Sequence, residues 1–285
     1  MNLDNIGKWK ITILETGDFW LDGGAMMGSV PKVLWSKTNP CDKLNRIQLA
    51  LRCMLLDDGE NLVLIETGIG NKNSDKFINM FNICQHKSAL SNALSKYGYI
   101  PENITHVILT HLHFDHAGGA TKLNSEGEIV PSFPNAQYFI SNKNWQAALN
   151  PNPKDKASYL KENYMILNER NILNIIPENT EILDGISTYV VNGHTIGQQL
   201  IKVHDDGQTI VFCSDLIPLK SHLKLPWIMG YDLNAILTLE EKKNFLNLAS
   251  ENNWILFFYH DPLVSAVTIE KNDNCFEVLD ELRRK

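Results

Sequence analysis

Apolar residues along the chain fall into short blocks bounded by Gly, Pro, Asn and Asp, and many blocks are rich in β-branched and aromatic side chains. Such blocks read as strands. They run over Trp9–Glu15, Leu51–Leu56, Leu62–Glu66, His106–Thr110, Gln137–Ser141, Ile186–Val191, Thr209–Cys213 and Trp254–Tyr259. Between them the apolar spacing changes to that of helices. Ser88 is placed to cap a helix through Leu90, Leu94 and Tyr97 that stops at Gly98. Ser141 caps another through Trp145 that ends before Pro151. Ala157–Ile172 and the stretch around Leu239–Ala249 carry the same spacing. Strands mixed with helices predict the α/β class, with two sheets and outer helices as one arrangement. No repeat and no Pro/Gly/Ser linker divides the chain, so residues 1–285 read as one domain.

Composition narrows the function. The 285 residues suffice for a sizeable core. Asp and Glu outnumber Lys and Arg, 33 to 26, which gives a net charge of −7 and argues against a nucleic-acid partner. Neither a signal-like apolar stretch behind a basic start nor a span of ~20 apolar residues is present, which argues against a membrane partner. Five scattered cysteines, Cys41, Cys53, Cys84, Cys213 and Cys275, form no C-x-x-C pair. They read as neutral thiols in a reducing cytoplasm.

The candidate chemistry sits directly after the His106–Thr110 block. His111-Leu112-His113-Phe114-Asp115-His116 packs three imidazoles and a carboxylate into six residues. These are good ligands for zinc and related first-row metals. In an extended loop His111 and His113 face the same way, and Asp115 and His116 can reach a second position. Three more candidates each follow a predicted strand: His194 in Gly193-His194-Thr195, Asp215 in Ser214-Asp215, and His260 in Tyr259-His260-Asp261. A lone histidine after a strand is usually structural; three such sites beside H-x-H-x-D-H form a constellation. His86, His106 and His204 lie outside it and read as ordinary surface or core histidines.

These motifs, in this order, resemble the metallo-β-lactamase superfamily. The resemblance implies an αββα four-layer sandwich, two mixed sheets flanked by helices. It implies one metal held by His111, His113 and His194, a second held by Asp115, His116 and His260, and Asp215 bridging both. Two divalent ions, zinc first and manganese, iron or cobalt as alternatives, would lower the pKa of a shared water toward 7. Asp115 or Asp215 could hold the resulting nucleophile and pass a proton to the leaving group. The bridging Asp215 argues against antibiotic hydrolysis and resembles glyoxalase II, lactonases and phosphotriesterase-like members. Glu66 departs from the pattern, since the family usually has an Asp there that orients a ligand. Gly68-Ile69-Gly70 lacks a Gly-Lys-Ser/Thr ending and reads as a turn.

For the substrate, Asp22-Gly23-Gly24-Ala25-Met26-Met27 with Val30-Pro31-Lys32 resembles a subgroup that includes quorum-quenching N-acyl-homoserine lactonases and methyl-parathion-hydrolase-like enzymes. A mobile glycine loop with Met26 and Met27 would offer adaptable apolar surface to an acyl chain; a turn beside core methionines is the structural alternative. Phe114, common at this place in lactonases of the fold, would touch the same chain. One lactonase subgroup has a Tyr where Pro218 stands, which leaves Tyr231 or His222 as replacements and Trp227 as a further contact. The leading expectation is a small-molecule lactone or ester hydrolase. Alternatives are a phosphotriesterase or general esterase, a glyoxalase-II-like thioesterase, a mononuclear iron sulfur dioxygenase, and a non-catalytic binding protein. About 25 residues follow His260, too few for a glutathione-binding region. All seven ligand positions are filled, which argues against loss of catalysis. The subgroup often forms homodimers, for which the N-terminal apolar stretch is a candidate interface.

Overall fold

A computed structural model describes residues 1, 3–84, 89–273 and 275–284. The first sheet is built from β1 (Asn5–Ile6), β2 (Trp9–Asp22), β3 (Arg46–Asp57), β4 (Leu62–Ile65) and β5 (His106–Ile108). A small hairpin of β6 (Thr121–Leu123) and β7 (Ile129–Pro131) leaves the sheet before β8 (Gln137–Ser141) and β9 (Leu173–Ile176) complete it. The second sheet runs in chain order through β10 (Glu181–Leu183), β11 (Ile186–Val191), β12 (Gln198–Asp205), β13 (Gln208–Phe212), β14 (Ile255–Phe257), β15 (Val264–Asn272) and β16 (Cys275–Arg283). Both sheets are mixed: β4, β5, β8 and β9 pair in parallel, as do β13 and β14.

Side-chain alternation sorts the core into layers. Val63 and Ile65 of β4, Ile201 and Val203 of β12, Ile210 and Phe212 of β13, and Phe257 of β14 meet between the sheets. Their neighbours face outward. Leu62 and Leu64 pack with Trp145, Tyr164 and Leu167 on one outer side. Leu200, Val211 and Leu256 pack with Phe245 and Leu246 on the other. Trp145 belongs to α6 (Asn142–Leu149) and Leu167 to α7 (Met165–Glu169); Phe245 and Leu246 belong to α8 (Ala235–Glu251). The order is helices, sheet, sheet, helix, the αββα sandwich expected from the resemblance. Because both faces of β3 are covered, most of its residues are buried, and between Ile47 and Leu56 only Gln48 and Arg52 interrupt the apolar run.

The elements differ from expectation where a local partner intervenes. The strand expected to end at Glu15 runs on to Asp22 after a register shift between Glu15 and Gly17. Asp22 then caps a short helix, Gly23–Met27, its Oδ1 accepting from Ala25 N–H at 2.8 Å. The glycine stretch is therefore a capped turn of helix and not an open loop. Ala157–Ile172 forms 3-10 turns at Lys156–Ser158 and Lys161–Asn163 before α7. Continuous helix is lost there because Tyr159 and Leu160, between the two turns, are extended; the Thr121 hydroxyl donates to the Glu162 carbonyl at 2.7 Å in the second turn. Ser141 does cap α6, accepting from Asn144 N–H at 3.1 Å. Ser88 and His86 lie outside the described residues; the helix beyond covers Ala89–Ser95.

Candidate metal centre and its cavity

Four strand ends converge on one edge of the sandwich. β5 leads into His111–His116, β11 into His194, β13 into Asp215 and β14 into His260. Cross-sheet hydrogen bonds fix their mutual height. Gln199 of β12 donates its backbone N–H to Thr110 O at 2.9 Å and its side-chain N–H to Leu109 O at 2.8 Å. Arg52 of β3, fully buried, donates to Phe258 O at 2.8 Å, two residues before His260. Ala50 and His260 exchange a backbone bond at 2.8 Å and a side-chain bond from Nδ1–H to Ala50 O at 3.0 Å.

The His111–His116 loop packs against Gly68–Gly70, which forms the expected turn. At Gly118 an added Cβ would fall 2.0 Å from Ile69 O, so only glycine permits this approach. Lys72 reaches over the loop end and donates to the Gly118 and Thr121 carbonyls, at 2.5 and 2.8 Å. The Tyr259 hydroxyl donates to Asp115 O at 2.6 Å.

All seven candidate ligands come together and are buried. Three sets of three have ligand atoms within 4.8 Å of one another: His111, His113 and His194; Asp115, His116 and His260; and, across these two, His111, His116 and Asp215. Asp215 lies between them. Its Oδ2 is 3.2 Å from His194 Nε2, and its Oδ1 is 3.3 Å from His260 Nε2. His111 directs Nδ1–H to the Thr110 hydroxyl at 3.0 Å, and His194 directs Nδ1–H to Asp232 Oδ1 at 2.9 Å. Their Nε2 lone pairs then both face His113 Nδ1, at 3.1 and 3.3 Å. One proton cannot satisfy three convergent nitrogen lone pairs; a cation can.

The carboxylates support the same fit. Asp115, Asp215, Glu66 and Asp232 are buried, and their ion pairs among the described residues are with histidines, not with Lys or Arg. Buried carboxylates without a firm counter-charge are costly. Burial and the neighbouring imidazoles pull His111 and His113 well below the usual histidine range. Both are thus neutral donors of lone pairs. Burial acts against the Asp215 carboxylate, but His116, His260 and His194 outweigh it and hold it well below the usual range. The donor set fits two divalent ions, and nothing in it selects one metal over another.

Glu66 stands where the family pattern has Asp. It is fully buried with a φ of 67°. Its Oε1 accepts from Thr110 N–H at 2.8 Å, while Oε2 lies 3.3 Å from His116 Nδ1. The longer side chain thus reaches the ligand from a left-handed backbone position.

A cavity of about 370 Å³ opens from the cluster. Its lining combines the ligand candidates His113, Asp115, His194, Asp215 and His260 with the apolar Leu21, Met26, Leu49, Phe77, Met80, Phe81, Phe114 and Met229. Phe77, Phe81 and Phe114 pack ring to ring at 4.7–5.3 Å between centroids. A larger hollow of about 600 Å³ elsewhere, beside Ile11, Ile13 and Tyr97, holds none of the candidate ligands.

Of the expected substrate contacts, Met26, Phe114 and Tyr231 line this cavity. Met27 and His222 do not, which corrects both expectations. Met27 is wholly buried and turns into the core between the sheets. His222 is buried behind the wall, donating Nε2–H to Met26 O at 2.9 Å. Trp227 also packs into the core. These residues serve the wall indirectly. Gly230 N–H donates to Ala25 O at 2.8 Å, and Gly28, at φ 56°, sits where a Cβ would meet Ile228 O at 2.2 Å. From beneath, the buried Lys242 ammonium donates to the Lys224 and Trp227 carbonyls, at 3.1 and 2.6 Å. Residues 22–31 and 222–232 are thereby fastened into one wall.

Several site residues escaped the sequence reading. Asp232 holds His194, Asp155 lines the cavity, and Phe77 and Phe81 form its apolar side. An aromatic pair four apart on a short helix signalled Phe77 and Phe81. No pattern distinguishes Asp232 or Asp155 from other loop aspartates.

Comparison with known proteins agrees with this geometry. The sequence model of the metallo-beta-lactamase superfamily matches residues 50–260. An N-acyl homoserine lactonase of Bacillus cereus is 27% identical over 229 residues, 76% of this chain and 83% of that protein. A probable metal-dependent hydrolase from Staphylococcus aureus superposes with a TM-score of 0.90 at 29% identity, covering 99% of both chains. AidC, a dizinc quorum-quenching lactonase solved with a product, gives 0.77 at 20% identity over 99% of this chain and 97% of that one.

Proposed function

The chain belongs to the metallo-beta-lactamase superfamily of metal-dependent hydrolases, and from that premise we propose that it hydrolyses the lactone ring of N-acyl homoserine lactones. The observation that carries this reading is the mixed lining of the cavity. Histidines and carboxylates of the cluster share its wall with an apolar, aromatic sleeve that includes Phe77, Phe81 and Phe114. That lining suits a substrate with one hydrolysable ester and one aliphatic tail. Two divalent ions, zinc in the first instance, would be held by His111, His113 and His194 and by Asp115, His116 and His260, with Asp215 between; they would supply Lewis acidity and a water of lowered pKa.

The chain's own groups do the rest. Phe77, Phe81, Phe114 and Met26 hold the tail and exclude water from the ester. Asp115 and Asp215 hold the water proton and return it to the alkoxide that leaves as the ring opens. Tyr231 lines the cavity and has no hydrogen bond to another described residue. Burial, with Asp22 and Asp115 nearby, pushes its phenol up to about 12, so it remains a donor at neutral pH. It is placed to donate to the ester carbonyl as charge develops there. Tyr231→Phe should lower kcat/KM for lactones roughly tenfold, the worth of one such bond, with metal content unchanged. An unaltered kcat/KM would remove Tyr231 from the reaction.

The test of the whole reading is proton release on a panel of acyl-homoserine lactones of increasing chain length. Paraoxon-type phosphotriesters and S-lactoylglutathione are run beside them, and metal content is measured on the same protein. Lactone turnover is expected to dominate, to rise with tail length until the sleeve is filled, and to vanish with chelator. Inert lactones in a protein loaded with two metals would transfer the assignment to whichever other ester is cleaved. A single bound iron would favour the dioxygenase alternative.

A further inference from the structure

Three of the five clustered imidazoles have their outward nitrogen hydrogen-bonded: His111 Nδ1 meets Thr110, His194 meets Asp232 and His260 meets the Ala50 carbonyl. The outward Nδ1 of His116 lies 3.3 Å from the buried Glu66 carboxylate, a charged group that faces it without a formed hydrogen bond. His113 is turned the other way. Its Nδ1 points at the convergent lone pairs, so the ring proton belongs on Nε2. That Nε2 is buried and has no hydrogen-bond partner.

On the same cavity wall stands a second unpartnered atom of opposite character. Asp155 is buried, and its Oδ1 also has no partner. Its Oδ2 accepts from the Thr195 hydroxyl at 3.3 Å, which fixes the carboxylate's orientation. Tyr159 ties the two residues together. Its ring packs edge-on against His113 at 4.8 Å, and its hydroxyl lies 2.7 Å from Thr195 Oγ1. Buried polar groups in native proteins are rarely left unpaired, and a single water commonly joins two of them. Here a buried N–H belongs to a ring packed on Tyr159, and a buried carboxylate oxygen belongs to a side chain linked to the hydroxyl of that tyrosine through Thr195; both residues line the same cavity.

We infer that Asp155 is the positioning residue for His113, joined to it by one water that accepts from Nε2–H and donates to Asp155 Oδ1. The bridge fixes the tautomer of His113 and aims its Nδ1 lone pair at the first metal position, as Asp232 does for His194. The inference rests on the metal-centre reading and is independent of which ester is cleaved. A carboxylate that only stitched the loop to Thr195 would leave metal binding untouched.

The experiment compares wild type, Asp155→Asn and Asp155→Ala. Zinc affinity is measured by competition with a chromophoric chelator, zinc stoichiometry by elemental analysis, and the Tm on metal-free protein. In Asp155→Ala one of the two ions should bind about 10–100-fold more weakly, the other as before, with the metal-free Tm unchanged. Asparagine keeps an acceptor for the water, so Asp155→Asn should retain part of the affinity. In a nitrogen-15 histidine spectrum of the zinc-loaded protein, the protected Nε2–H of His113 should be lost in Asp155→Ala. Unchanged affinity for both ions overturns the inference. So does equal weakening of both ions with a lowered metal-free Tm, which would mark a structural role. A raised KM with intact zinc affinity also overturns it, since the oxygen would then serve the substrate. Wild type that binds two zinc ions yet opens no lactone would sink the proposed substrate and leave this inference standing; wild type that binds no zinc would overturn both.

Discussion

Asp215→Ala should yield a folded protein that has lost at least one metal ion and nearly all turnover. The residue follows β13 on a short 3-10 turn, Ser214–Leu216, and contacts both ligand triads, with Oδ2 facing His194 and His116 and Oδ1 facing His260. Its neighbours His116, His194 and His260 lie within 3.4 Å of its carboxylate. Removing an outer partner of a metal ligand typically costs ~10–100-fold in affinity or activity, and removing a group shared by both positions should exceed the upper end of that range. The fold should survive, because the side chain lies at the edge of the sandwich and not in any of its apolar layers. Elemental analysis and kcat on the same preparation check this. Full activity with two bound metals would refute the assignment.

Glu66→Ala is expected to damage both stability and metal retention. The carboxylate does two jobs, accepting from the Thr110 N–H and facing His116 Nδ1. Its loss leaves a buried backbone donor unpaired, worth ~1–3 kcal/mol. It also releases His116 from its orienting group, worth ~10–100-fold in affinity for the metal held by Asp115, His116 and His260. Chemical denaturation of the metal-free protein isolates the first effect, and chelator competition reports the second. Glu66→Asp separates them further. Aspartate tolerates the φ of 67° better than glutamate but is one methylene shorter. It should recover much of the stability and only part of the metal affinity, provided the backbone stays in place.

The metal centre was legible in the sequence because its ligands are chemically distinctive and follow strand ends. H-x-H-x-D-H is compact, and His194, Asp215 and His260 each lie just beyond a strong β pattern. Gln137–Ser141 and Ile186–Val191 matched their strands to the residue, since turn formers bound them on both sides. The edge strand β16 and its neighbour β15 were not read. Three of the nine residues of β16, Glu277, Asp280 and Arg283, are exposed and charged, and Val278 and Leu279 are exposed as well, so it lacks a buried apolar alternation. β12 was missed because Gln198 and Gln199 open it with polar residues that are nevertheless buried. Helical spacing over Ala157–Ile172 misled because a pattern of apolar positions cannot reveal the extended backbone at Tyr159 and Leu160, or distant partners such as Thr195 for Tyr159 and Thr121 for Glu162. The substrate wall was half legible: Met26 and Tyr231 face the cavity, while Met27 and His222 differ from them only in which way the backbone turns.

The bond between His260 and Ala50 joins residues 210 positions apart, and that from Tyr259 to Asp115 spans 144. During vectorial synthesis the His111–His116 loop therefore leaves the ribosome long before the strand that completes the site. At ~5–20 residues per second the interval is roughly 7–30 s. A nascent chain in that window carries an open, partial chelate, able to hold an ion loosely but lacking the residues that enclose it. With the ligand set proposed above, secure metallation would be coupled to chain completion, and any product arrested before residue 260 would be a poor competitor for the cell's metal supply.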